Sequence, residues 1–133
     1  MAVSTQDQDQ LHHHYVDAIN SNNTDRIMAC LSDDIVFQTP GESELVGKSA
    51  VREWSSSFFE AFHAKWDKTQ HAFECSGDLA ISRYTYSAQY IGRDDNSVIE
   101  EFGKGTCIYR RDEESGWLLA IDSWSTNDAG AEE

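Results

Sequence analysis

Positive charge is scarce in this chain: 10 Lys and Arg stand against 24 Asp and Glu, a formal net charge of −14. Such a field repels phosphate backbones, so nucleic acid and anionic membranes are not expected as partners. No apolar run approaches the roughly 18 residues that a membrane span requires. The stretch Met1 to Gln10 is polar and acidic, unlike a secretory leader, and the expected location is cytoplasmic. Cysteine is sparse too. Cys30, Cys75 and Cys107 are odd in number and show no CxxC spacing, which speaks against a disulfide framework and a cysteine zinc site, and reduced thiols are expected.

Recognisable cofactor loops are also missing. Gly103, Lys104 and Gly105 lack the spacing and the following Ser or Thr of a phosphate loop, and strand curvature accounts for the glycines better. Asp94, Asp95 and Asn96 lack the glycine and terminal glutamate of a calcium loop and read as a hairpin turn. His12, His13 and His14 sit in a helical pattern, where consecutive side chains diverge and cannot grip one ion. No metal and no cofactor is expected.

What is present fits one domain over residues 1–133, with a core over about residues 4–127 and an acidic tail over 128–133, because 133 residues leave room for a single hydrophobic core. Ser4 and Asp7 resemble a helix start, and Leu11, Tyr15, Ala18 and Ile19 recur at helical spacing. The polar cluster Asn20 to Asn23 breaks that helix. Thr24 can cap a second one, whose buried face is Ile27, Met28, Cys30 and Leu31. A strand is expected over Ile35–Thr39, stopped by the Pro40–Gly41 turn, with a short return strand at Leu45 and Val46. Ser49 opens a third helix carrying Val51, Trp54, Phe58, Ala61 and Phe62 on one face. Four strand-like runs follow, Ala64–Cys75, Leu79–Ile91, Val98–Arg111 and Trp117–Thr126, separated by three turn signals. Hairpin-joined strands with helices gathered in the first half give an α+β fold: three helices on a mostly antiparallel sheet.

Side-chain alternation sorts the strand faces. Tyr84, Tyr86, Ala88 and Tyr90 share one face of the strand after Asp78, while Ile81, Arg83, Thr85, Ser87 and Gln89 share the other. The tyrosine stripe is too large to leave in water, so it packs under a helix or forms a subunit contact. On the last strand Leu118, Ala120, Asp122 and Trp124 share a side. A carboxylate there is out of place if the side is buried, and unremarkable if the strand frays into solvent.

The order and spacing of YVDAINSNNTDRIMACLSDDIVFQTP, ELVGKSAVREW and YRRDEESGWLLAIDSWS resemble the SnoaL-like, or nuclear transport factor 2-like, superfamily over roughly Leu11 to Asn127. That superfamily includes ketosteroid isomerase, polyketide cyclases and the association domain of calmodulin-dependent kinase. The resemblance implies a cone-shaped, strongly curved sheet closed by three helices around one pocket. It puts the oxyanion tyrosine of the isomerase on Tyr15. The general base of the isomerase falls on Thr39 and its oxyanion acid near Cys107, neither a carboxylic acid, so steroid isomerisation is not implied. An inward arginine of the kinase association domain falls on Arg83, and Trp124 falls on the pocket wall with Asp122 beside it.

Three functional readings follow. In the first, Asp122 and Tyr15 are catalytic, a general base or acid and an oxyanion donor acting on a small carbonyl substrate in an isomerase, cyclase or dehydratase type of step without metal. Arg83, Trp54, Phe58, Trp124, Cys107 and Phe37 would then contact the ligand. Set against it is a plain structural reading, in which Tyr15 is a core tyrosine with a backbone partner and Arg83 neutralises Asp122 in a buried pair. In the second, the same pocket binds a small anion or metabolite through Arg83 without turnover. In the third, the face bearing Tyr84, Tyr86 and Tyr90 pairs two copies into a homodimer.

Overall fold

Helices occupy the first half of the chain and strands most of the remainder, as the periodicities require. The computed structural model describes residues 5–127, with side chains from Gln10 onward; the expected start at Ser4, the side chain of Asp7 and the acidic tail 128–133 lie outside the described residues. Helices α1 (Thr5–Asn20), α2 (Thr24–Met28) and α3 (Lys48–Ala61) pack against a curved six-stranded sheet. Its strands are β1 (Leu31–Gln38), β2 (Leu45–Val46), β3 (Phe62–Ser76), β4 (Leu79–Gly92), β5 (Val98–Asp112) and β6 (Gly116–Thr126). They lie in the order β2-β1-β6-β5-β4-β3, antiparallel throughout except for the β1–β6 pair. No helix among the described residues is long and apolar enough to cross a membrane.

The polar cluster after α1 does more than end it. Asn20 donates to the Trp66 carbonyl at 2.9 Å and accepts from the Trp66 N–H at 2.7 Å. Asn22 makes the same two bonds with Ala64, at 2.9 and 2.7 Å. Two carboxamides thus satisfy the backbone of edge strand β3 as a neighbouring strand would, which fastens α1 to the sheet and shields that edge. Asn23, not Thr24, caps α2: its side chain accepts from the N–H groups of Asp25 and Arg26. The second helix is also shorter than expected. The Cys30 carbonyl accepts from the Leu119 N–H at 2.8 Å, so the chain has already entered the sheet and Leu31 belongs to β1.

The tyrosine stripe of β4 faces inward. Tyr84 and Tyr86 are 1% and 2% exposed, Ala88 and Tyr90 are buried with them, and Ile81, Arg83 and Gln89 are exposed on the outer face. The helices cover the apolar side of the sheet, and three phenol rings supply far more apolar surface than the mixed face does. This corrects two expectations: Arg83 does not reach the interior, and Tyr84, Tyr86 and Tyr90 offer no surface to a second copy. Room for the rings comes from β5, where Gly105 pairs with Tyr84 and Gly103 with Tyr86. A Cβ on Gly105 would collide with the Tyr84 hydroxyl, and one on Gly103 would sit 2.6 Å from the Tyr86 ring. The two glycines therefore serve close approach of the rings, in addition to any effect on curvature.

A bulge in β6 alters a second face assignment. Ile108 pairs with Ile121 but Tyr109 pairs with Leu119, leaving Ala120 as the extra residue. Leu119, fully buried, therefore shares the inner side with Asp122, and Leu118 turns away from it to become half-buried.

Candidate functional site

Between the concave sheet and the helices lies a cavity of about 360 Å³. Sequence position explains which side chains reach it. Trp54, Ser55 and Phe58 come from the inner face of α3, Tyr15 from the buried stripe of α1, Phe37 from β1, and Asp122 and Trp124 from alternate positions of β6. Six expected site residues, Tyr15, Phe37, Trp54, Phe58, Asp122 and Trp124, are thus brought together. Their rings pack closely: Phe37 meets Trp124 edge to face at 5.5 Å between centroids, and Trp54 stacks on Phe58 at 5.8 Å.

Asp122 forms the floor. It is 4% exposed, and its two oxygens are held from different sides. Tyr15 donates its hydroxyl proton to Oδ2 at 2.7 Å. Tyr84 donates to Oδ1 at 2.8 Å, and the Cys107 thiol approaches the same oxygen at 3.5 Å. Tyr15, which holds Oδ2, lines the cavity together with Asp122, whereas Tyr84 and Cys107, which hold Oδ1, do not. Behind the floor, the buried Lys68 ammonium lies 3.8 Å from Cys107 Sγ, 3.8 Å from the Tyr84 ring centroid and 4.6 Å from that of Tyr15. Its cation rests on two aromatic faces and supplies positive charge beside the buried carboxylate.

These surroundings fix the protonation of the acids around Asp122. Burial first, and then the Asp122 charge, push the Tyr15 and Tyr84 phenols well above their ordinary range, so both remain donors. The Cys107 thiol is pushed up by the same two causes in the same order, with Lys68 opposing them only in part. Cys107 is therefore a protonated thiol behind the site, where it contacts Asp122 instead of lining the cavity, and it is no nucleophile. Arg83, on the outer face of β4, is absent from the site altogether.

A second carboxylate occupies the same cavity. Glu101 on β5 accepts from Tyr86 at 2.7 Å and from Tyr90 at 3.1 Å, both at Oε1. Burial and then Glu101 itself keep these two phenols protonated as well. A third, Glu42, stands at the rim after the Pro40 turn and accepts from Thr39 at 3.2 Å and from the Trp54 indole at 3.3 Å. Sequence reasoning missed Glu101, Glu42, Trp66 and Lys68. A usable signal existed for three of them: Ala64, Trp66 and Lys68 alternate along β3 as an inner face, and Glu101 has the same parity as Gly103, Gly105 and Cys107 on β5. Glu42 lies in a loop, where no period applies.

The comparisons agree with this architecture. A crystal structure of a conserved protein from Planctomyces limnophilus superposes with a TM-score of 0.82 at 20% identity, covering 90% of this chain and 93% of that one. A ketosteroid isomerase-like protein from Erwinia carotovora atroseptica gives 0.80 at 21% identity, covering 89% and 92%. A nuclear transport factor 2-like superfamily protein from Salmonella enterica gives 0.80 at 14% identity, covering 95% and 92%. At such identities the likeness shows the fold alone. No curated protein matches the chain significantly. The model of the SnoaL-like domain matches residues 12–116, which include the cavity-lining residues of all three helices and the strands carrying Tyr84, Tyr86, Tyr90 and Glu101, and on that match the chain belongs to the SnoaL-like domain family.

Proposed function

We propose that this protein takes a small, largely apolar organic molecule into the cavity and carries out metal-independent acid–base chemistry on it, of the isomerase, cyclase or dehydratase type. Asp122 is the base and Tyr15 its partner. The observation that supports this reading is the split of donors at Asp122: among the described residues Oδ2 holds the proton of Tyr15, which lines the cavity, while Oδ1 is held by Tyr84 and Cys107, which do not line it. A carboxylate so placed can accept a proton from carbon beside a carbonyl: the C–H bond breaks, its electron pair enters the developing enolate, and the proton arrives on Oδ2. Once Oδ2 is protonated it no longer needs the Tyr15 hydrogen, which turns to the substrate oxygen where negative charge has developed. The reaction differs from that of ketosteroid isomerase in its base, because Thr39 cannot take a proton at neutral pH. The free thiols of Cys30 and Cys107 fit a reducing compartment, and we assign the chain to the cytoplasm.

Deuterium exchange at the α-carbon of 2-tetralone in D₂O, followed by proton NMR, tests the chemistry. Exchange by the wild type should exceed the buffer rate, and Asp122→Asn should return it to that rate while sparing tetralone binding. Tetralone that binds without accelerated exchange would favour the second reading, a binding module without turnover. That reading draws on the three donors already engaged by Asp122.

A further inference from the structure

Five donors in and around the cavity are already committed. Tyr86 and Tyr90 give theirs to Glu101, Thr39 and Trp54 give theirs to Glu42, and Tyr15 gives its own to Asp122. In both glutamates a single oxygen, Oε1, takes both protons, and Oε2 has no protein partner among the described residues. No Lys, Arg or His among the described residues lines the cavity, and none of its three carboxylates enters an ion pair there. Lys68 stands behind the floor and does not reach it. One cavity-lining hydroxyl, that of Ser55 on α3, is buried and has no hydrogen-bond partner among the described residues. Around these acceptors stand three indoles, with Trp54 and Trp66 each edge-on to Trp124 at 6.1 and 6.3 Å between centroids.

An anion entering this space would meet carboxylates and no compensating cation, an unfavourable desolvation. A cation meets the reverse: aromatic faces attract it through their quadrupoles, carboxylates complement its charge, and where it is a protonated amine its N–H groups find open acceptor sites. From the open oxygens of Glu101 and Glu42, the unpartnered Ser55 hydroxyl and the indole walls, we infer that the ligand is a small organic cation, an amine or quaternary ammonium carried on an apolar body. Its charged end sits against Glu101. This rests on the reading that the cavity is the ligand site, and it replaces the anion expected from an inward Arg83 with a ligand of opposite sign.

Tryptophan fluorescence titration with benzyltrimethylammonium and with neopentylbenzene, which has the same shape and no charge, separates the two claims. The cation should bind at least about tenfold more tightly than the neutral compound. Glu101→Gln keeps the side chain's length and an acceptor for the tyrosines, and should abolish most of that preference while leaving neopentylbenzene affinity unchanged. Should that variant fail to fold by circular dichroism, Glu42→Gln at the exposed rim should lower the preference in the same sense. Equal binding of both compounds, or a preference that survives the substitution, overturns the cation inference and leaves the cavity reading standing. Binding of neither compound overturns both.

Discussion

Asp122 and Glu101 face one cavity and each accepts two tyrosine protons, yet the two carboxylates differ in what stands behind them. Asp122 is buried, has a thiol as a third donor and a buried ammonium close by, whereas Glu101 is half-buried and, among the described residues, accepts at one oxygen and forms no ion pair. A single tyrosine stripe serves both, because successive inner positions of β4 stand over successive inner positions of β5 and β6. The floor is thus a closed network in which every partner depends on the others, and the wall is an open one that water or a ligand can complete. Closed networks resist perturbation poorly, while open ones are where recognition can occur.

The largest expected effect tests that contrast directly. Asp122→Ala leaves two buried phenols and a thiol without an acceptor, and should lower stability by about 3 kcal/mol or more in urea unfolding. Glu101→Ala leaves two phenols without their acceptor at the wall of a cavity that water can enter, and should lower it by about 1 kcal/mol. Equal losses would mean that the floor admits water as freely as the wall.

Next in size is Gly105→Ala. Its Cβ would strike the Tyr84 hydroxyl and would come within 2.7 Å of the Ser123 carbonyl, so the floor must shift, with a loss of roughly 2 kcal/mol. A neutral outcome would show that Tyr84 can leave Asp122 without consequence.

Alkaline pH reads both networks at once. All five tyrosines of the chain, at 15, 84, 86, 90 and 109, have folded-state pKa values raised first by burial. The folded chain therefore retains protons that the unfolded chain releases once pH passes about 10, and stability is full below that pH and falls as pH rises beyond it. Tyrosinate absorbance at 295 nm should stay silent until unfolding and then appear in one step. A fraction of the signal titrating in the folded state would identify the less protected network, expected at Glu101.

Much of this architecture was legible because period and length carried it. The four long strands are found within two residues of the runs read from alternation; α1 follows its apolar stripe, and α3 follows its own as far as Phe58, Ala61 being exposed and Phe62 already the first residue of β3. The Asn20 to Asn23 cluster was readable as a break but not as a strand mimic, since its partners on β3 lie more than forty residues away. The candidate site was legible only in part. Tyr15, Asp122 and four aromatic residues followed from spacing and resemblance, whereas Lys68 and Glu101 look like ordinary surface charges unless their parity with the buried residues of β3 and β5 is read. Alternation fixes which residues share a face and leaves open which face is buried. For β4 that choice had to come from apolar area, and the tyrosines outweighed the arginine.

Arg83 is accordingly the site of the smallest expected effect and a strict test of that choice. Its side chain is exposed on the outer face of β4, across the sheet from Tyr84 and with the backbone between it and the cavity. Arg83→Ala should change stability by no more than about 0.5 kcal/mol, as expected of a surface substitution away from any network. It should also leave benzyltrimethylammonium binding and tetralone exchange as they are in the wild type, even though the charge removed is as large as that of Glu101. A measurable loss of binding would mean that the guanidinium reaches the ligand. The face assignment of β4 would then be inverted, and the tyrosines that clamp Asp122 and Glu101 would have to point outward, where neither carboxylate could accept from them.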